Sequence, residues 1–481
     1  MKKLLCLIVV LCSFQINAQN KTDDRPNVIV IFVDDLGYAD LGIQNQLNDV
    51  KTPNIDYLAK TGVRMTSGYV TAPQCVPSRA GLLTGRYQEK FGTDHNGTLP
   101  LPLNEITIAQ RMKDAGYVTG MTGKWHLEPL HVQKKWMQKE MPELGSKKKY
   151  EPRDIPFAKK IPYMSNHRGF DQVFQGSINR YWSTYTLDGK DKKEGWVDAQ
   201  GYRLDIQTDA AVSFIKKNKD TPFFFYLSYF APHVPLEATR KYLSRFPDDM
   251  PTRRKYCLAM MSAIDDGVGR VKQTLKNLKL EDNTIIFFIS DNGAPLKIEM
   301  KDLPISFRGG AWDGSRNDPL NGEKGMISEG GIRVPYIVNW PAGLPKGKVY
   351  DKPVISLDVA ATSIALAGLE KAEELDGVNL IPYLNDDIKE EPHDALYWRF
   401  WKQFAVRSGK FKYLKQKNRE FLFDLEADIS EVNNIIEQYP QKAKELKAKL
   451  SEWNKTLFYK DFESSDKGQE SRWFNHYFPK K

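Results

Sequence analysis

Short runs of apolar and aromatic residues recur along the first three quarters of the chain, each bounded by turn-forming residues. Four of these runs predict β-strands: Val28–Val33, Phe223–Tyr229, Thr284–Ile289 and Pro335–Trp340. Their apolar positions are consecutive rather than alternating, which is typical of strands that are covered on both faces. We therefore expect a sheet with other elements packed on both of its sides.

Stretches with helical spacing lie between the strands. They predict helices over Thr52–Gly62, Thr107–Ala115, Asp205–Lys217 and Tyr256–Leu278. Strands that alternate with helices indicate an α/β fold with a large, mainly parallel central sheet flanked by helices. We assign residues 25–375 to this main domain, which we expect to be the catalytic one.

The pattern changes after about Asp376, where shorter runs follow one another closely. They predict four strands and then an amphipathic helix: Ala395–Arg399, Phe404–Val406, Phe411–Leu414, Phe421–Leu425 and Gln441–Leu457. This order indicates a small α+β subdomain over residues 376–481. Within the main domain, His131–Asp171 lacks a clean period and holds four prolines. We expect a long surface excursion there that shapes access to a site.

Polar residues follow three of the predicted strands, at the point where each strand ends. Asp34 and Asp35 follow the first strand, His233 follows the second, and Asp291 and Asn292 follow the third. In open α/β sheets, ligands bind beyond the carboxyl ends of the strands. The sequence therefore predicts a functional site at this edge of the sheet.

The N-terminus has the pattern of a secretory signal peptide. Lys2 and Lys3 precede the apolar stretch Leu4–Phe14, and the small residue Ala18 follows it. The stretch is shorter than the roughly 20 residues that a membrane span needs. We predict cleavage after residue 18 and export to the periplasm or the medium, with no integral membrane span. A surface lipoprotein modified at Cys12 is the less favoured alternative.

The composition limits the class of partner. The chain has 481 residues, of which 41% are hydrophobic and 27% charged, as in ordinary globular proteins. A formal net charge of +9 favours anionic partners but does not choose among sulfate, phosphate, nucleic acid and acidic glycan. Because no basic helix with interleaved aromatic residues stands out, we do not expect nucleic acid as a partner.

Cleavage of the signal peptide would leave two cysteines, Cys75 and Cys257. In an oxidising compartment they could form a disulfide. The other interpretation is a reactive or modified Cys75. Pro77 suits the first turn of a helix, which places Cys75 just before a helix N-terminus, where amide groups and the helix dipole favour an anion. The residues alone leave both interpretations open.

Two segments near Cys75 match a known signature: Cys75–Arg79 (Cys-Val-Pro-Ser-Arg) and Leu83–Arg86 (Leu-Thr-Gly-Arg). They resemble the signature of the type I, formylglycine-dependent sulfatases of the alkaline-phosphatase-like superfamily, exported bacterial polysaccharide sulfatases among them. The resemblance covers roughly residues 25–455 in unbroken order. Its further segments are Asn27–Asp35, Thr52–Asp56, Gly123–His126, Ala231–His233, Ser290–Gly293, Gly322–Gly325, Glu329–Pro335 and Phe421–Glu426.

The resemblance implies that the nucleophile is made by modification. A formylglycine-generating or anaerobic sulfatase-maturating enzyme would oxidise Cys75 to formylglycine (3-oxoalanine). One hydroxyl of its hydrate would attack sulfur to give a covalent sulfate ester, and the second hydroxyl would then expel sulfate. The resemblance also implies a calcium ion, bound by the modified residue 75 together with the hard oxygen donors of Asp34, Asp35, Asp291 and Asn292.

The resemblance further assigns roles to five side chains. Arg79 and Lys124 would hold the hydrated aldehyde and the charge that develops on it. His126 would accept the proton of the second hydroxyl during release of sulfate. His233 and Lys324 would bind the sulfate and assist the leaving oxygen, with His233 as the acid.

Other polar residues near the matched segments are candidates for contact with substrate. His95 and Asp94 come soon after the signature helix, and Trp312 and Arg316 lie on the glycine-rich loop before Lys324. Glu128 departs from the family pattern, which often has glycine there, and we expect it to change the local loop or a substrate contact.

Export, basic charge and the long excursion favour a sulfated polysaccharide or oligosaccharide as substrate. Two alternatives remain open. One is a phosphonate or phosphate ester hydrolase of the same superfamily, although the two-zinc phosphatases need more histidine ligands than seven histidines readily supply. The other is a sulfated-glycan binding protein without catalytic activity. The sequence does not identify the sugar or the position of the sulfate.

Overall fold

A computed structural model describes residues 24–130, 132–144, 151–176, 178–307, 311–459 and 468–479. The signal peptide predicted for residues 1–18, including Cys12, lies outside these ranges. Among the described helices, none is both long enough and apolar enough to cross a membrane.

A ten-stranded sheet forms the centre of the main domain. In spatial order its strands are β11 (Lys348–Tyr350), β2 (Val63–Met65), β10 (Tyr336–Asn339), β9 (Thr284–Ser290), β1 (Asn27–Asp34), β8 (Phe223–Pro232), β4 (Val118–Gly123), β5 (Gln172–Gly176), β6 (Arg180–Tyr185) and β7 (Asp191–Asp198). The five strands from β9 to β5 are parallel, whereas β10, β6 and β7 pair antiparallel with their neighbours. The predicted α/β fold is confirmed, with a sheet that is mixed towards its edges.

Helices cover both faces of the sheet. Those of the main domain are α1 (Pro53–Lys60), α2 (Cys75–Thr84), α3 (Ile108–Asp114), α4 (Lys134–Glu140), α5 (Phe157–Lys160), α6 (Arg203–Lys217), α7 (Arg240–Leu243), α8 (Thr252–Asn277), α9 (Glu329–Ile332), α10 (Asp358–Leu366) and α11 (Ile381–Leu384). The four predicted helices correspond to α1, α3, α6 and α8. A two-stranded sheet of β3 (Gly68–Tyr69) and β12 (Val354–Ile355) lies beside them.

The consecutive apolar residues of β1 explain its central position. Val28, Val30 and Phe32 face a core shared with α2 and α3, whereas Ile29 and Ile31 face a second core shared with α6 and α8. Because neighbouring side chains on a strand point to opposite faces, a strand between two cores needs apolar residues at every position.

The C-terminal unit is a four-stranded antiparallel sheet with a helix packed on it. Its elements are β13 (Leu396–Phe400), β14 (Gln403–Ser408), β15 (Phe411–Gln416), β16 (Arg419–Asp424) and α12 (Pro440–Lys455), followed by α13 (Gln469–Tyr477). Leu380 and Leu384 of the segment before this sheet lie in the core of the large sheet. The domain boundary at residue 376 stays a prediction.

The excursion predicted over residues 131–171 carries more local structure than its sequence pattern indicates. Its described parts contain α4, α5 and several short 3₁₀ turns. Met137, Met141 and Ile155 form a small core of their own. The described parts of the excursion are therefore folded rather than irregular.

A buried ion cluster joins the C-terminal sheet to the main domain. Lys412 on β15 places its Nζ 2.8 Å from Glu329 Oε1 on α9 and 2.9 Å from Glu431 Oε1. All three side chains are fully buried. Breaking such a cluster is costly because removal of one partner leaves buried charge that is no longer fully compensated.

Replacing Lys412 with methionine should lower the free energy of unfolding by about 3–5 kcal/mol, because Glu329 and Glu431 would then face each other without the lysine between them. Arg333, 3.3 Å from Glu329 Oε2, would offset only part of that charge. Urea unfolding followed by circular dichroism measures this loss. Lys410→Met is the matched control, since Lys410 pairs with Asp424 at the surface and its loss should cost less than about 1 kcal/mol. Equal losses for the two variants would contradict the structural role of the cluster.

Candidate active site

The carboxyl ends of two neighbouring strands bring the predicted acids together. Asp34 ends β1, and Asp291 follows β9, which pairs with β1 in parallel. Asp34, Asp35, Cys75 and Asp291 each place a ligand atom within 4.8 Å of the others. Asp35 has a φ of 65°, a left-handed conformation that is uncommon for a residue with a side chain. Such backbone conformations concentrate at functional sites.

Cys75 is the first residue of α2, one position further into the helix than the sequence suggested. Its thiol lies 3.4 Å from Asp34 Oδ1 and 3.2 Å from Lys324 Nζ. Burial, followed by the charge of Asp291, raises the pKa of this thiol to about 12. At neutral pH the group is therefore a thiol and a poor nucleophile.

The alternative of a disulfide between Cys75 and Cys257 is wrong. Both cysteines are free, and both are buried. Cys257 lies within α8, whereas Cys75 begins α2 beside the acids. The structure thus leaves Cys75 available for modification.

Burial and the neighbouring charges act in opposite directions on the pKa values of the three carboxyl groups. Burial disfavours the ionised form of Asp34, but Lys124, whose Nζ is 2.6 Å away, and then His233 outweigh it and hold the pKa of Asp34 well below its usual range. Burial and the charge of Asp34 raise the pKa of Asp291 to about 7. A divalent cation among these carboxylates would offset their mutual repulsion.

Asn292 offers a further oxygen to such a cation. Its Nδ2 donates to Asp35 Oδ1 at 2.6 Å and to the carbonyl of Gly293 at 2.9 Å. Its Oδ1 is buried and has no hydrogen-bond partner within the described part of the chain. Buried acceptors are nearly always paired, so an orphan beside three carboxylates indicates a place for a cation. Four oxygen donors suit Ca²⁺ better than Zn²⁺, which prefers nitrogen and sulfur.

Arg79 is fully buried next to this cluster. Its Nη2 donates to Asp291 Oδ2 at 2.7 Å, and its Nη1 donates to Ser228 Oγ at 2.6 Å and to Tyr226 Oη at 3.2 Å. Ser228 and Tyr226 were not among the residues predicted from the sequence. A signal was present, because Ser228 is the one serine within the apolar and aromatic run of β8, where a buried polar group needs a partner.

Two lysines form ion pairs with the acids. Lys124 follows β4 and donates to Asp34, whereas Lys324 donates to both carboxylate oxygens of Asp35, at 2.7 and 2.9 Å. Burial opposes the charge of Lys324, but Asp35 and Cys75 outweigh it and raise the pKa of Lys324 well above its usual range. Lys324 is therefore a fixed positive charge beside residue 75.

The two predicted histidines also lie at this edge. His126, with a φ of 62°, has a buried Nδ1 that lacks a hydrogen-bond partner among the described residues. Burial, and next the charge of Lys124, lowers the pKa of His126 well below its usual range. Burial likewise lowers the pKa of His233 to about 4. Its Nε2 lies 3.7 Å from Asp35 Oδ2, and its Nδ1 donates to the carbonyl of Val234. Both imidazoles are thus neutral here and able to accept a proton.

Two of the predicted substrate contacts, Asp94 and Trp312, have partners inside the protein. Asp94 is buried and forms an ion pair with Arg399 of the C-terminal sheet. Trp312 is also buried, and its Nε1 donates to the carbonyl of Ser315 at 2.8 Å. Contact of these two side chains with substrate stays a prediction. The sequence could not show the ion pair, because Arg399 lies 305 positions from Asp94.

The other two candidates are more accessible. Arg316 forms an ion pair with Asp318 at 2.7 Å and is partly exposed. His95 is partly buried, and its ring stands edge-on to that of Trp401, with centroids 6.3 Å apart. Contact of Arg316 and His95 with substrate stays a prediction.

The chain matches known proteins over most of its length. The sulfatase family matches residues 26–369, and the family described as N-sulphoglucosamine sulphohydrolase, C-terminal, matches residues 322–460. An uncharacterized sulfatase of Escherichia coli K12, YdeN, is 32% identical over 416 residues, which are 78% of this chain and 69% of that protein. The N-acetylgalactosamine-6-sulfatase of the pig, Sus scrofa, is 31% identical over 411 residues, covering 80% and 71% of the two chains.

Solved structures agree with this result. The crystal structure of Ps i-CgsB superposes with a TM-score of 0.75 at 32% identity, covering 93% of this chain and 97% of the other. A phosphonate monoester hydrolase from Silicibacter pomeroyi, at 19% identity and a TM-score of 0.61, covers 90% and 96% and shares the fold. With its signature cysteine among strand-end acids and a family match over well more than half its length, the chain belongs to the sulfatase family and is a sulfuric ester hydrolase.

Proposed function

We propose that this enzyme hydrolyses sulfate esters of polysaccharides or oligosaccharides by means of a formylglycine made from Cys75 and a bound calcium ion. The observation that carries the proposal is the position of Cys75, buried at the start of α2 and within 4.8 Å of three carboxylates. A thiol with a pKa of about 12 is a weak nucleophile, which favours a modified residue at this position.

The hydrate of a formylglycine made from Cys75 would supply one hydroxyl as the nucleophile toward sulfur, with the alcohol as leaving group, and a second hydroxyl whose deprotonation would release sulfate and restore the aldehyde. Asp34, Asp35, Asp291 and Asn292 would hold a calcium ion, which would supply positive charge that lowers hydroxyl pKa values and offsets the charge of sulfate. Arg79 Nη2 holds Asp291 in place by a hydrogen bond. Ser228 and Tyr226 in turn fix Nη1 of the same guanidinium.

The remaining side chains handle protons and charge. Lys324, already 3.2 Å from the sulfur of Cys75, offsets negative charge on the oxygen that replaces it. His126 is neutral and accepts a proton during release of sulfate. An anionic sulfate beside His233 would raise its pKa, and the imidazolium could then protonate the leaving oxygen.

Burial of Cys75 constrains how the enzyme matures. Its side chain is 1% exposed, so a maturating enzyme must reach it before the chain has folded. A formylglycine-generating or anaerobic sulfatase-maturating enzyme is the proposed partner. We further propose export through residues 1–18 and activity in the periplasm or the medium.

The relatives favour a carbohydrate substrate. One is named N-acetylgalactosamine-6-sulfatase, and the crystal structure of Ps i-CgsB in complex with k-i-k-neocarrahexaose superposes with a TM-score of 0.74 at 31% identity, over 93% of this chain and 97% of the other.

Hydrolysis by the protein co-expressed with a formylglycine-generating enzyme tests the proposal. The panel contains 4-nitrophenyl sulfate, a 4-nitrophenyl phosphonate ester, and sulfated mono- and oligosaccharides, among them N-acetylgalactosamine 6-sulfate. We expect kcat/KM to be higher for sulfate than for phosphonate esters. Faster cleavage of the phosphonate would favour the phosphonate hydrolase, and saccharide binding without turnover would favour the non-catalytic alternative.

A further inference from the structure

A cavity of about 200 Å³ adjoins the Cys75 site. Val76, Asn96, His126 and Glu128 contribute to its wall. Val76 directly follows Cys75, and its backbone N–H donates to Asn96 Oδ1 at 3.0 Å, which fixes this wall to the start of α2. At about 30 Å³ for each water molecule, the volume equals roughly six or seven waters, enough for part of one sugar ring.

Two buried polar atoms on this wall have no hydrogen-bond partner among the residues that the structure describes. They are His126 Nδ1 and Glu128 Oε2. An orphan of this kind needs an explanation, because buried polar groups are nearly always satisfied. The proposed reaction uses His126, whereas none of its steps uses Glu128. Burial also raises the pKa of the Glu128 carboxyl, although backbone N–H groups and the charge of Lys160 act in the opposite direction.

The charge around the site is divided. Lys324 lies 3.2 Å from the sulfur of Cys75, and Lys124 and Arg79 pair with the acids beside it, where the scissile sulfate would lie. Glu128 puts a carboxylate on the wall of the adjoining cavity instead. Carboxylate oxygens accept hydrogen bonds, so they suit the donating hydroxyl of a sugar. A second sulfate has only acceptor oxygens and a negative charge, and Glu128 would repel it.

We propose that Glu128 determines specificity by accepting a hydrogen bond from a free hydroxyl beside the scissile sulfate and excluding a second sulfate from that position. The proposal rests on the sulfatase activity proposed above and deepens it. It assigns to this enzyme a monosulfated sugar residue as the preferred unit.

Kinetics on a matched substrate pair test the proposal. The pair consists of the monosulfated sugar that the hydrolysis panel identifies and the same sugar with a second sulfate at the neighbouring position, such as N-acetylgalactosamine 6-sulfate and its 4,6-disulfate. Wild type should prefer the monosulfated sugar by at least about tenfold in kcat/KM. Glu128→Gln keeps the shape, lowers kcat/KM for the monosulfated sugar about fivefold or more, mainly through KM, and reduces the preference at least about fivefold.

Glu143→Gln is the matched control, because Glu143 is an exposed carboxylate in the same excursion. Glu143→Gln should leave kcat/KM for both sugars unchanged. 4-Nitrophenyl sulfate has no hydroxyl to donate. If Glu128→Gln lowered kcat/KM equally for this ester and for the sugars, the proposal would be overturned in favour of a purely structural role. A wild type without preference between the two sugars would also overturn it. Failure of the proposed function would look different, since wild type would then cleave no sulfate ester.

Discussion

Replacing Cys75 with alanine abolishes sulfate ester hydrolysis, with kcat falling by at least about 10⁴-fold, and leaves the protein folded. The loss of rate is large because the side chain that carries the attacking oxygen is removed, and losing a covalent nucleophile costs a large part of the total acceleration. The fold should survive because only one small buried atom is lost, at a cost of about 1–2 kcal/mol. Turnover of 4-nitrophenyl sulfate and the thermal midpoint measure the two effects.

Cys257→Ala is the matched control for this experiment. Cys257 is also a buried free thiol, but it lies within α8, away from the acids. We expect its replacement to reduce stability by a similar amount and to keep activity within about twofold. Persistent hydrolysis by Cys75→Ala, or an equal loss in Cys257→Ala, would contradict the assignment of the nucleophile.

Removal of calcium should lower kcat by at least about 100-fold, and added Ca²⁺ should restore it. We expect this effect because the three clustered carboxylates form an oxygen-lined site together with Asn292. The Oδ1 of Asn292 has no hydrogen-bond donor among the described residues. Dialysis against a chelator followed by titration with Ca²⁺, Mg²⁺ or Zn²⁺ measures the effect. Calcium at about 100 times its Kd should also add about 2.7 kcal/mol of stability, visible as a higher thermal midpoint.

Asn292→Ala tests whether calcium binding, rather than the general integrity of the site, sets the activity. It should raise the calcium concentration for half-maximal activity about tenfold or more, since one oxygen ligand is lost. Asn277→Ala, an exposed asparagine on α8, is the control and should not shift the titration. Full activity in the presence of a strong chelator, together with an unchanged thermal midpoint, would contradict a calcium site.

The sequence predicts the centre of the sheet better than its edges. Strands β1, β8 and β9 are buried on both faces, so their apolar runs are continuous and easy to recognise. The antiparallel direction of β10 could not be read in the same way, since its four buried residues have the same pattern as a parallel strand. Strand β7 alternates exposed and half-buried residues, many of them charged, and the sequence analysis did not identify it.

The site follows a similar rule. Acids directly after strands are local signals, and the sheet register then brings Asp34, Asp35 and Asp291 together. Partners that depend on distant packing gave no such signal. The ion pair of Asp94 with Arg399 and the hydroxyl of Ser228 on Arg79 arise only when separate elements meet. The orphan oxygen of Glu128 likewise becomes visible only with the cavity around it.

The mass of one tryptic peptide tests the central claim most directly. Trypsin cleaves after Arg64 and Arg79, which releases Met65–Arg79 with Cys75 as its one cysteine. In catalytically active enzyme, we predict that this peptide carries an aldehyde at residue 75 and reacts with a hydrazide probe, and that its abundance rises in proportion to specific activity. Fully active enzyme whose peptide contains only the unmodified thiol would contradict the account.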